Sequence, residues 1–539
     1  MSAGRYIIPK FKFQKAVPYF KWTLIVIAFG GNLSLDKNKK KMEKKYYFNP
    51  DYTIRKDGNR YLLYSRFMKK YDSDTTKTLI HPYHARLLSL FSAGCPVEQA
   101  ANMIASDLSV TQEDAKKILA PWLSGEKFRI AINDSKVRIP KNVLVPSEYI
   151  LDKSEIEEFS IPKSLAKDVD LSTKRLQIPY LMTFMLTNTC VTKCCYCYAD
   201  TCTKVKNHLS TERIFEIIRE AKHIGVYNIF LIGGEVFLHP DWELILKKLT
   251  DNGFGPDTIS TKVPITPRIV KGLKESGYKG ILQLSIDTLD PSIAIDTLLV
   301  NQCYISKVKQ GVSLLEEAGI TYRVETVLTK STCTKENIDA LYDLFKDKKH
   351  VKTWEIRTAM FSNQKSMDNF NSIKATISQL EGIFEYVENN IKNETKFTVT
   401  FPRTEIDKAY YSAEGGSSTF KGSKCSALND HLFILPDGKC TICEQLYWNP
   451  NFIIGDLTNE SISEVWNSEK ANRLLNIKQE CINKQSPCSS CKLFDDCFRI
   501  NRNRCWTDVI KAYGADKWDF PDPRCKFAPK MNNNISYNA

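Results

Sequence analysis

The sequence has no hydrophobic run long enough to cross a membrane. Its one apolar stretch after a basic segment, residues 22–31, is about ten residues long, whereas a membrane-spanning helix needs about twenty. The small-residue cleavage site that would follow the apolar core of a secretory signal is also missing. Membrane insertion and secretion are therefore not expected, and a cytoplasmic location is favoured.

The chain also has little net charge beyond its first segment. Residues 1–70 contain 17 Lys or Arg against 4 Asp or Glu, a net charge of +13, while the whole chain carries +14. A basic surface elsewhere, as nucleic-acid binding would require, is not indicated. We interpret the basic segment as a solvated extension and predict no nucleic-acid partner. An acidic peptide or RNA bound by this segment is the alternative.

The remaining composition is that of a folded globular protein. Of the 539 residues, 42% are hydrophobic and 26% are charged, which is close to the averages for folded soluble chains. At roughly 100 to 200 residues per domain, the length predicts about three or four domains.

The 17 cysteines lie mostly in two bunches. Five fall between Cys190 and Cys202, and nine between Cys425 and Cys525. Short gaps between cysteines are typical of thiolates that surround a metal, and disulfides are rare in cytoplasmic proteins. Two metal-binding regions are therefore expected.

A small module precedes both cysteine regions. Residues 46–67 predict a β-hairpin around an Asp57-Gly58-Asn59 turn. Three amphipathic helices are predicted next, the last beginning at Thr111, with Asp114 completing a capping box. The sequence of this module resembles a leader-binding domain akin to the PQQ-biosynthesis chaperone. The resemblance lies in YFNPDYTIRKDGNRYLLYS and then PVEQAANMIASDLSVTQEDAKKIL. Such domains hold a precursor's leader as an added strand; an unrelated winged-helix fold or a structural cap is the alternative.

From about residue 181, apolar runs alternate with amphipathic helices. Strands are predicted over residues 181–186, 229–232, 258–261, 281–286, 322–328 and 354–357. One of the helices between them is capped by Ser210 and turns Ile214, Ile217 and Ile218 inward. Six β/α repeats predict an α/β fold, a partial (β/α)6 TIM-like barrel with its chemistry at the C-terminal strand ends.

The loop after the first predicted strand reads Cys190-Val-Thr-Lys-Cys194-Cys195-Tyr196-Cys197. Three thiolates from one loop fit a [4Fe–4S] cube and leave one iron open, whereas structural zinc is closed by four ligands. Chance cysteines or a zinc loop are the alternative. The C-x3-C-x2-C spacing, with aromatic Tyr196 before the last cysteine, resembles the signature of radical S-adenosylmethionine (SAM) enzymes. The resemblance implies that Cys190, Cys194 and Cys197 bind the catalytic cluster, with Cys195 outside it.

The same resemblance implies contacts with SAM at other strand ends. Gly233-Gly234-Glu235, after the second predicted strand, is placed as the family's GGE motif. Glycines let the backbone approach the methionine part of SAM, and Glu235 can accept from its ammonium group. The further predicted contacts are Ser260, Ser285, Asp287 and Arg323, with Thr261 and Glu325 as neighbouring candidates, although each could equally cap a strand end. In this family, cluster reduction cleaves SAM to a 5′-deoxyadenosyl radical, which abstracts a substrate hydrogen.

The second cysteine region follows the pattern Cys425-x12-Gly438-x4-Cys443, then Cys488-x2-Cys491-x5-Cys497, then Cys505 and Cys525. This pattern resembles the SPASM extension, which binds auxiliary iron–sulfur clusters. The family has a cysteine four residues after the position matched by Cys497, but this chain has Asn501 there and Cys505 further on. A pair of structural zinc sites is the alternative.

The resemblance also implies how these cysteines are shared between two clusters. One cluster would be held by Cys488, Cys491, Cys497 and Cys525. The other would be held by Cys425, Cys443 and Cys505, either with Cys440 or Cys481 as a fourth ligand or with an open iron that can bind a substrate thiolate. We therefore expect one catalytic and two auxiliary [4Fe–4S] clusters, with SAM as the other cofactor.

These patterns divide the chain into five segments. They are a basic extension over 1–41 that the fold can dispense with, a leader-binding domain over 42–140, a linker over 141–180, the radical SAM core over 181–395 and the auxiliary-cluster domain over 396–539. The first domain is expected to be winged-helix-like, and the last to be cysteine-rich.

Together, the resemblances imply an oxidoreductase that modifies a ribosomally made peptide by hydrogen abstraction. Its expected partners are the precursor's leader and a low-potential electron donor such as flavodoxin or ferredoxin. A thioether crosslink from a peptide cysteine to an unactivated carbon is the first choice, because SPASM enzymes with such a module often make one. A carbon–carbon crosslink, epimerisation or oxidative decarboxylation stays open. The alternatives are a sulfatase-maturing enzyme, a small-molecule radical SAM dehydrogenase and a non-enzymatic iron–sulfur scaffold.

Overall fold

The computed structural model describes residues 25–27, 44–66, 77–132, 135–163, 168–402, 425–500 and 504–535. The chain forms two compact units that divide between Lys174 and Arg175. This boundary falls inside the segment 141–180 that the sequence predicts as a linker. Each unit has an apolar core of its own.

Short strands and three helices make up the first unit. The strands are β1 (Ile25–Ile27), β2 (Lys45–Phe48), β3 (Tyr52–Asp57), β4 (Arg60–Ser65), β5 (Lys77–Ile80), β6 (Cys95–Pro96), β7 (Phe128–Ile132), β8 (Ser135–Ile139) and β9 (Leu144–Pro146). The helices are α1 (Pro82–Ser89), α2 (Val97–Leu108) and α3 (Gln112–Leu123). The strands pair antiparallel in three sheets, with the orders β1-β7-β8, β6-β2-β9 and β3-β4-β5.

The predicted hairpin is present but shorter than expected. Strands β3 and β4 pair around a turn in which Gly58 has a φ of 66°. Residues 46–48 belong instead to β2, in another sheet. The chain turns between β2 and β3 because Pro50 has no N–H to donate and the Asn49 side chain accepts from the Asp51 N–H at 2.9 Å.

All three predicted helices are present, with their apolar faces in the core of this unit. Ala100 and Ala101 of α2 are buried, as are Ala115 and Leu119 of α3 and the neighbouring predicted positions Leu87, Leu88, Phe91, Ile104 and Trp122. The Thr111 hydroxyl accepts from the Asp114 N–H at 3.1 Å, as an N-cap should. The hydroxyl also donates to the Asp114 carboxylate at 2.7 Å, in place of the second bond of the predicted capping box.

Alternating strands and helices make up most of the second unit. The strands are β10 (Leu181–Met185), β11 (Asn228–Ile232), β12 (Thr258–Thr261), β13 (Ile281–Ser285), β14 (Tyr322–Leu328), β15 (Val351–Thr358), β16 (Thr398–Thr400), β17 (His431–Ile434), β18 (Lys439–Thr441) and β19 (Ile453–Asp456). The helices are α4 (Thr211–Ile224), α5 (Trp242–Asp251), α6 (Pro267–Glu275), α7 (Pro291–Leu298), α8 (Tyr304–Ala318), α9 (Lys335–Phe345), α10 (Met367–Ile373), α11 (Ile377–Tyr386), α12 (Ile462–Trp466), α13 (Glu469–Leu475) and α14 (Trp506–Tyr513). In the described ranges, no helix is both long enough and apolar enough to cross a membrane.

The strands of the second unit form two five-stranded sheets. Their orders are β11-β10-β17-β18-β19 and β12-β13-β14-β15-β16. The pairs from β12 to β16 are all parallel, as are the pairs that β10 makes with β11 and β17, whereas β18 and β19 are antiparallel additions. The fold is thus an α/β partial barrel with a parallel sheet, between a β-rich N-terminal module and a cysteine-rich C-terminal region.

The six strands predicted for the barrel are all present. The sixth, predicted over residues 354–357, is longer and spans Val351–Thr358. The helix predicted after Ser210 is α4, where the Ser210 hydroxyl accepts from the Arg213 N–H at 3.1 Å and Gly225 ends the helix at a φ of 81°. The structure adds β16 and β17, which the sequence did not predict. Strand β17 comes from the cysteine-rich region and pairs in parallel with the first barrel strand, β10.

Candidate functional site

The loop between β10 and α4 gathers the three cysteines predicted to bind the catalytic cluster. The Thr192 Oγ1 lies 3.3 Å from the Cys190 Sγ and 3.2 Å from the Cys194 Sγ. The Cys197 N–H donates to the Cys194 carbonyl at 3.1 Å, which closes a turn between the second and third cysteines. Burial, together with the nearby Cys194 and Cys190, raises the pKa of Cys197 to about 11. The three thiols are therefore neighbours.

The chemistry of this donor set fits an iron–sulfur cluster. Burial also raises the pKa of Cys190 and that of Cys194, and a bound metal deprotonates such thiols outright. In the part of the chain that the structure describes, no three Cys, His, Asp or Glu side chains converge on a single-ion position. The ligands of a cubane bind different irons, so three neighbouring thiols on one loop suit a [4Fe–4S] cube.

The C-terminal end of α7 holds the cluster loop in place. The Lys193 N–H donates to the Leu298 carbonyl at 2.8 Å, and the Cys195 N–H donates to the Thr297 carbonyl at 2.9 Å. The last carbonyls of a helix have no hydrogen-bond partner within the helix, so these bonds satisfy the carbonyls of α7 and the N–H groups of the loop together. Cys195, predicted to lie outside the ligand set, lines a pocket of about 400 Å³ that Thr297 and Lys330 also line.

Two glycines after β11 let this strand end pass close to the cluster loop. A Cβ on Gly234 would lie 2.2 Å from the Thr189 carbonyl oxygen, and one on Gly233 would lie 2.8 Å from the Thr187 carbonyl oxygen. The Gly234 N–H donates to the Thr187 carbonyl at 2.7 Å. The sequence predicts that these glycines let the backbone approach SAM; the close approach seen here is to the cluster loop, and the contact with SAM stays a prediction.

Glu235 is buried beside the first cluster cysteine. Its carboxylate accepts from the Thr261 hydroxyl at 2.6 Å and from the Lys262 N–H at 2.8 Å. The Cys190 Sγ lies 3.9 Å from its Oε1. Burial raises the pKa of Glu235, while these hydrogen bonds lower it. The carboxylate thus joins the cluster loop to the end of β12, and its predicted bond to the SAM ammonium group is untested.

A buried ion pair that the sequence did not reveal lies beside the cluster loop. The Lys262 Nζ is 2.7 Å from the Asp287 Oδ2 and 3.1 Å from the Ser285 carbonyl oxygen. The Tyr196 hydroxyl donates to the same Asp287 oxygen, and the Val327 N–H donates to the other at 2.9 Å. Asp287 is predicted to contact SAM; in the structure its carboxylate connects strand ends to the aromatic residue of the cluster loop.

Polar side chains form a row across the barrel sheet. Ser260, Gln283 and Arg323 are partners across β12, β13 and β14. The Gln283 Nε2 donates to the Ser260 Oγ at 2.9 Å, and its Oε1 accepts from the Arg323 Nε at 2.9 Å. The Ser285 Oγ lies 3.4 Å from the Ser260 Oγ. Three predicted SAM contacts therefore share one wall of the barrel, joined by Gln283, which the sequence did not single out.

A neighbouring row, nearer the C-terminal strand ends, carries charge. Glu325 of β14 lies directly opposite Glu355 of β15. Arg357 balances the two carboxylates, with its Nε 3.6 Å from the Glu325 Oε2 and its Nη2 2.7 Å from the Glu355 Oε1. Burial raises the pKa of Glu325, while Arg357 lowers it. The Arg357 side chain is 47% exposed, so part of its guanidinium stays accessible to a bound molecule.

In the cysteine-rich region, Cys425, Cys443 and Cys505 come together. Burial raises the pKa of Cys505, and the nearby Asp508, Cys425 and Cys443 add to this effect. Burial likewise raises the pKa of Cys443 to about 11. The Cys443 Sγ lies 3.7 Å from the Thr507 hydroxyl. We call these three cysteines the three-thiol group.

Cys488, Cys491, Cys497 and Cys525 form a second group. Burial raises the pKa of Cys497 to about 11; Arg504 lowers this pKa, and the other three cysteines raise it. Arg504 is buried, with its Nη2 3.7 Å from the Cys488 Sγ. A positive charge is therefore held directly against what we call the four-thiol group.

Cys440 and Cys481 are the two cysteines considered as a fourth ligand of the three-thiol group. Cys440 is fully buried in β18, with its Sγ 3.6 Å from the Gly438 carbonyl oxygen. Burial and then the charge of Asp456 raise its pKa. Cys481 is exposed. The division of the other seven cysteines between two clusters, and the fourth ligand, stay predictions.

Two family models match the chain over the regions that contain these cysteines. The Radical SAM superfamily model matches residues 184–346, which include the cluster loop and all the predicted SAM contacts. A model described as an iron-sulfur cluster-binding domain, SPASM, matches residues 425–492. The second match includes Cys425, Cys443, Cys488 and Cys491.

The curated relatives match over part of the chain. A probable GTP 3′,8-cyclase of Methanothermobacter thermautotrophicus is 28% identical over 135 residues, which are 25% of this chain and 43% of that protein. A GTP 3′,8-cyclase of Nautilia profundicola is 28% identical over 162 residues, or 29% of this chain and 49% of that protein. The chain spans about half the length of the curated relatives it matches.

A solved structure matches most of the chain. Streptococcus suis SuiB bound to S-adenosylmethionine has a TM-score of 0.56 at 17% identity, covering 89% of this chain and 100% of SuiB. SuiB bound to its precursor peptide SuiA has a TM-score of 0.55 at 17% identity, with the same coverage. At this identity, the likeness shows a shared fold.

Proposed function

Since the chain is a radical SAM enzyme with a SPASM domain, and SAM and [4Fe–4S] clusters are its cofactors, we propose that it modifies a ribosomally synthesised peptide. When bound, SAM and the reduced cluster supply a 5′-deoxyadenosyl radical that abstracts a hydrogen from the substrate. The proposed product is a thioether between a cysteine sulfur and a carbon of the same peptide. The observation that carries the proposal is the order of parts along this chain: a β-rich module, then a barrel, then a cysteine-rich region. SuiB shares this fold over 89% of the chain.

The N-terminal unit supports a peptide as the substrate. In its sheet β3-β4-β5, the outer strands β3 and β5 each pair with one strand among the described residues. An open strand edge can accept an extended peptide through main-chain hydrogen bonds. SuiB, which has this fold, was solved with a precursor peptide bound. We therefore assign residues 42–140 to binding of the precursor's leader.

Cys190, Cys194 and Cys197 are the proposed ligands of the catalytic cluster. Their loop is fixed by α7 on one side and by the strand end at Gly234 and Glu235 on the other. Ligands held by backbone bonds and close packing keep their geometry without the metal. The proposed SAM-binding residues are Gly233, Gly234, Glu235, Ser260, Ser285, Asp287 and Arg323.

The charged row is proposed to orient the peptide inside the barrel. Arg357 is held by Glu325 and Glu355 and is still 47% exposed. A guanidinium fixed in this way presents N–H donors in a rigid plane, and these can bind peptide carbonyl oxygens. Such a contact would hold one substrate carbon in place for hydrogen abstraction.

The three-thiol group favours a thioether over the other outcomes. A cluster with three cysteine ligands keeps an iron that can bind a thiolate of the peptide. In the balanced reaction, the substrate carbon gives one hydrogen atom to the 5′-deoxyadenosyl radical, which becomes 5′-deoxyadenosine, and the substrate thiol gives up one proton. The carbon–sulfur bond then forms, and the remaining electron leaves through an auxiliary cluster.

The proposed reductant is a low-potential carrier such as flavodoxin or ferredoxin, because the cluster must be reduced before SAM is cleaved. Reduced thiols and such carriers belong to the cytoplasm, so we propose a cytoplasmic location. No nucleic-acid partner is proposed. The basic extension over 1–41 is proposed to be unnecessary for the reaction, although its residues 25–27 form β1 and pair with β7 in the N-terminal unit.

The first test is anaerobic reconstitution with iron and sulfide, followed by measurement of 5′-deoxyadenosine with SAM and dithionite. Three cubane clusters predict about twelve irons per chain. Changing Cys190, Cys194 and Cys197 together to Ala should remove about four irons and all SAM cleavage. Iron binding without SAM cleavage, even with a candidate peptide present, would favour the scaffold alternative.

The second test removes residues 42–140 and measures turnover of a candidate short precursor peptide that carries its leader. SAM cleavage should persist, because the cluster loop and the barrel belong to the other unit. Modification of the full-length precursor should fall sharply, and mass spectrometry should find the thioether only with the complete chain. Unchanged turnover would contradict leader binding and favour a sulfatase-maturing or small-molecule enzyme.

A further inference from the structure

The outer surface of the cluster loop and the end of α7 carry two exposed apolar side chains. Leu299 is 63% exposed and Val191 is 37% exposed. The hydrogen bond from the Lys193 N–H to the Leu298 carbonyl keeps the two segments side by side. Single exposed apolar residues are common on protein surfaces and carry no argument by themselves.

Leu299 combines a positive φ with an exposed apolar side chain, whereas Leu428, the other leucine with a positive φ in the described ranges, is buried. The φ of Leu299 is 53° and its ψ is 49° where α7 ends, a conformation that brings the Cβ of an L-residue too close to the backbone. Helices α4 and α8 have glycine at the same position, Gly225 and Gly319, which adopts it without strain. A leucine at this point neither relaxes the backbone nor fills the core. Strain of this kind is retained where the side chain has a use.

Three lysines surround these apolar residues. Lys193 and Lys330 are exposed, and Lys365 is half-buried. In the described ranges, none of the three forms an ion pair. Lys330 lines the pocket beside Cys195, and so does Ile373 at the end of α10, the helix that follows Lys365. All three therefore lie on the side of the barrel that carries the cluster loop, and counted with the exposed acids Asp296 and Asp368 they leave a net charge of +1.

We propose that Val191, Lys193, Leu299, Lys330 and Lys365 form a docking face for a small acidic electron-carrier protein of the flavodoxin class. The inference rests on the proposed function, in which the catalytic cluster must be reduced. Unpaired lysines around the apolar centre complement an acidic rim around the carrier's redox centre. The face is built on the backbone of the cluster loop itself, so it gives the carrier a short path to the cluster.

In the docked state, one electron passes from the reduced carrier to the oxidised cluster. The carrier is oxidised by one electron and the cluster is reduced by one, with no proton or group transferred. Electron transfer slows steeply with distance, so a carrier docked elsewhere on the barrel would reduce the cluster too slowly. The positive charges would also raise the association rate with an acidic partner, and this gain would fall as salt is added.

The test compares two reductants on the reconstituted full chain. Reduced flavodoxin must dock, whereas dithionite reaches the cluster as a small ion. Lys330→Glu with Lys365→Glu should slow cluster reduction by flavodoxin by about tenfold or more at low salt and leave dithionite reduction within about twofold. The matched control is Lys274→Glu with Lys279→Glu, since these exposed lysines precede β13 and so lie at the other end of the barrel.

Variants of Leu299 give a second, independent test of the docking face. Leu299→Asn should slow reduction by flavodoxin but keep or raise the thermal midpoint, because Asn tolerates the left-handed conformation. Leu299→Met keeps an apolar side chain in the same strained position and should keep the flavodoxin rate. Loss of stability in Leu299→Asn with an unchanged flavodoxin rate would assign the leucine to structure and contradict the docking face.

Two readouts separate this inference from the function on which it rests. Bleaching of the cluster absorbance reports reduction, and 5′-deoxyadenosine reports SAM cleavage. If dithionite reduces the cluster but SAM stays intact, the proposed function fails, and the flavodoxin comparison still decides the docking face. Equal losses with both reductants in the lysine variants, or no loss with flavodoxin, would overturn the proposal.

Discussion

The ammonium group of Lys262 lies 2.7 Å from the Asp287 carboxylate, and both side chains are buried. The pair joins the end of β12 to the residues that follow β13, and the Tyr196 hydroxyl donates to the same carboxylate. Tyr196 stands between Cys194 and Cys197 in the cluster loop. The position of two proposed cluster ligands therefore depends on a charge pair that contributes no ligand itself.

Asp287→Asn should destabilise the second unit and loosen the catalytic cluster. The change keeps the shape of the side chain but leaves Lys262 buried without a counter-charge, which costs about 3–5 kcal/mol. Urea unfolding of the reconstituted protein measures this loss, and iron analysis should show fewer irons than in the parent. The double variant Asp287→Leu, Lys262→Met removes both charges and should recover much of the stability. Full stability in Asp287→Asn alone would contradict the pair's role.

Gly234→Ala should displace the cluster loop. The added Cβ would lie 2.2 Å from the Thr189 carbonyl oxygen, and its nearest neighbours are backbone atoms of residues 188–189, which cannot rotate away as a side chain could. Iron content and 5′-deoxyadenosine formation should both fall sharply. Gly255→Ala is the matched control in the same barrel, because a Cβ there meets nothing within 4 Å. Equal activity of the two variants would show that the loop tolerates the shift.

Arg504→Gln should lower the reduction potential of one auxiliary cluster. The guanidinium is buried with its Nη2 3.7 Å from the Cys488 Sγ, and removing a positive charge beside a cluster makes an added electron less favourable. An anaerobic redox titration followed by electron paramagnetic resonance measures the shift. Arg504→Lys keeps the charge and should stay closer to the parent. An unchanged potential in both variants would place Arg504 outside the cluster's electrostatics.

Acid should loosen the N-terminal unit through His84. Burial, and then the charge of His81, lowers the pKa of His84 from 6.5 to about 3, so the unfolded state binds a proton first as pH falls. Stability is therefore complete above pH 6.5 and declines towards pH 3, by about 1.4 kcal/mol per pH unit. Protection factors for hydrogen exchange in α1 and α3 of the full chain, which correct for the slower intrinsic exchange at lower pH, should fall between pH 6.5 and pH 5. His84→Phe should weaken this dependence, and an unchanged profile would exclude His84 as its source.

The barrel could be predicted from the sequence because apolar residues recur at different spacings in its helices and in its strands, and because its strands are bounded by turns. Helix α4 shows this well, since Ser210 caps it, Gly225 ends it and its isoleucines recur at helical spacing. The three-residue strand β16 is too short to carry a period. Strand β17 pairs with β10 from about 250 positions away along the chain. Only the tertiary structure can show such a pairing.

The cysteines of the site could be predicted because their spacing is local, whereas the groups that support them could not. Lys262 follows β12 directly, where a lysine is usually solvated. Its partner Asp287 follows the next strand, β13, so nothing near Lys262 in the sequence indicates burial. Gln283 lies between two leucines of β13, and its role is visible only from Ser260 and Arg323, its neighbours across the sheet. Register between strands is the information that one sequence does not contain.

The two auxiliary groups make different predictions for single cysteine changes. Cys505→Ala should remove one auxiliary cluster, about four irons, because Cys505 lies with Cys425 and Cys443. Cys440→Ala is the matched control, a buried cysteine of the same domain beside Gly438 and Asp456, and should keep its iron. If Cys440→Ala loses the same cluster, Cys440 is the fourth ligand and no iron is left open for a substrate thiolate. Retention of iron in Cys440→Ala and also in Cys481→Ala would support an open iron and with it the thioether chemistry.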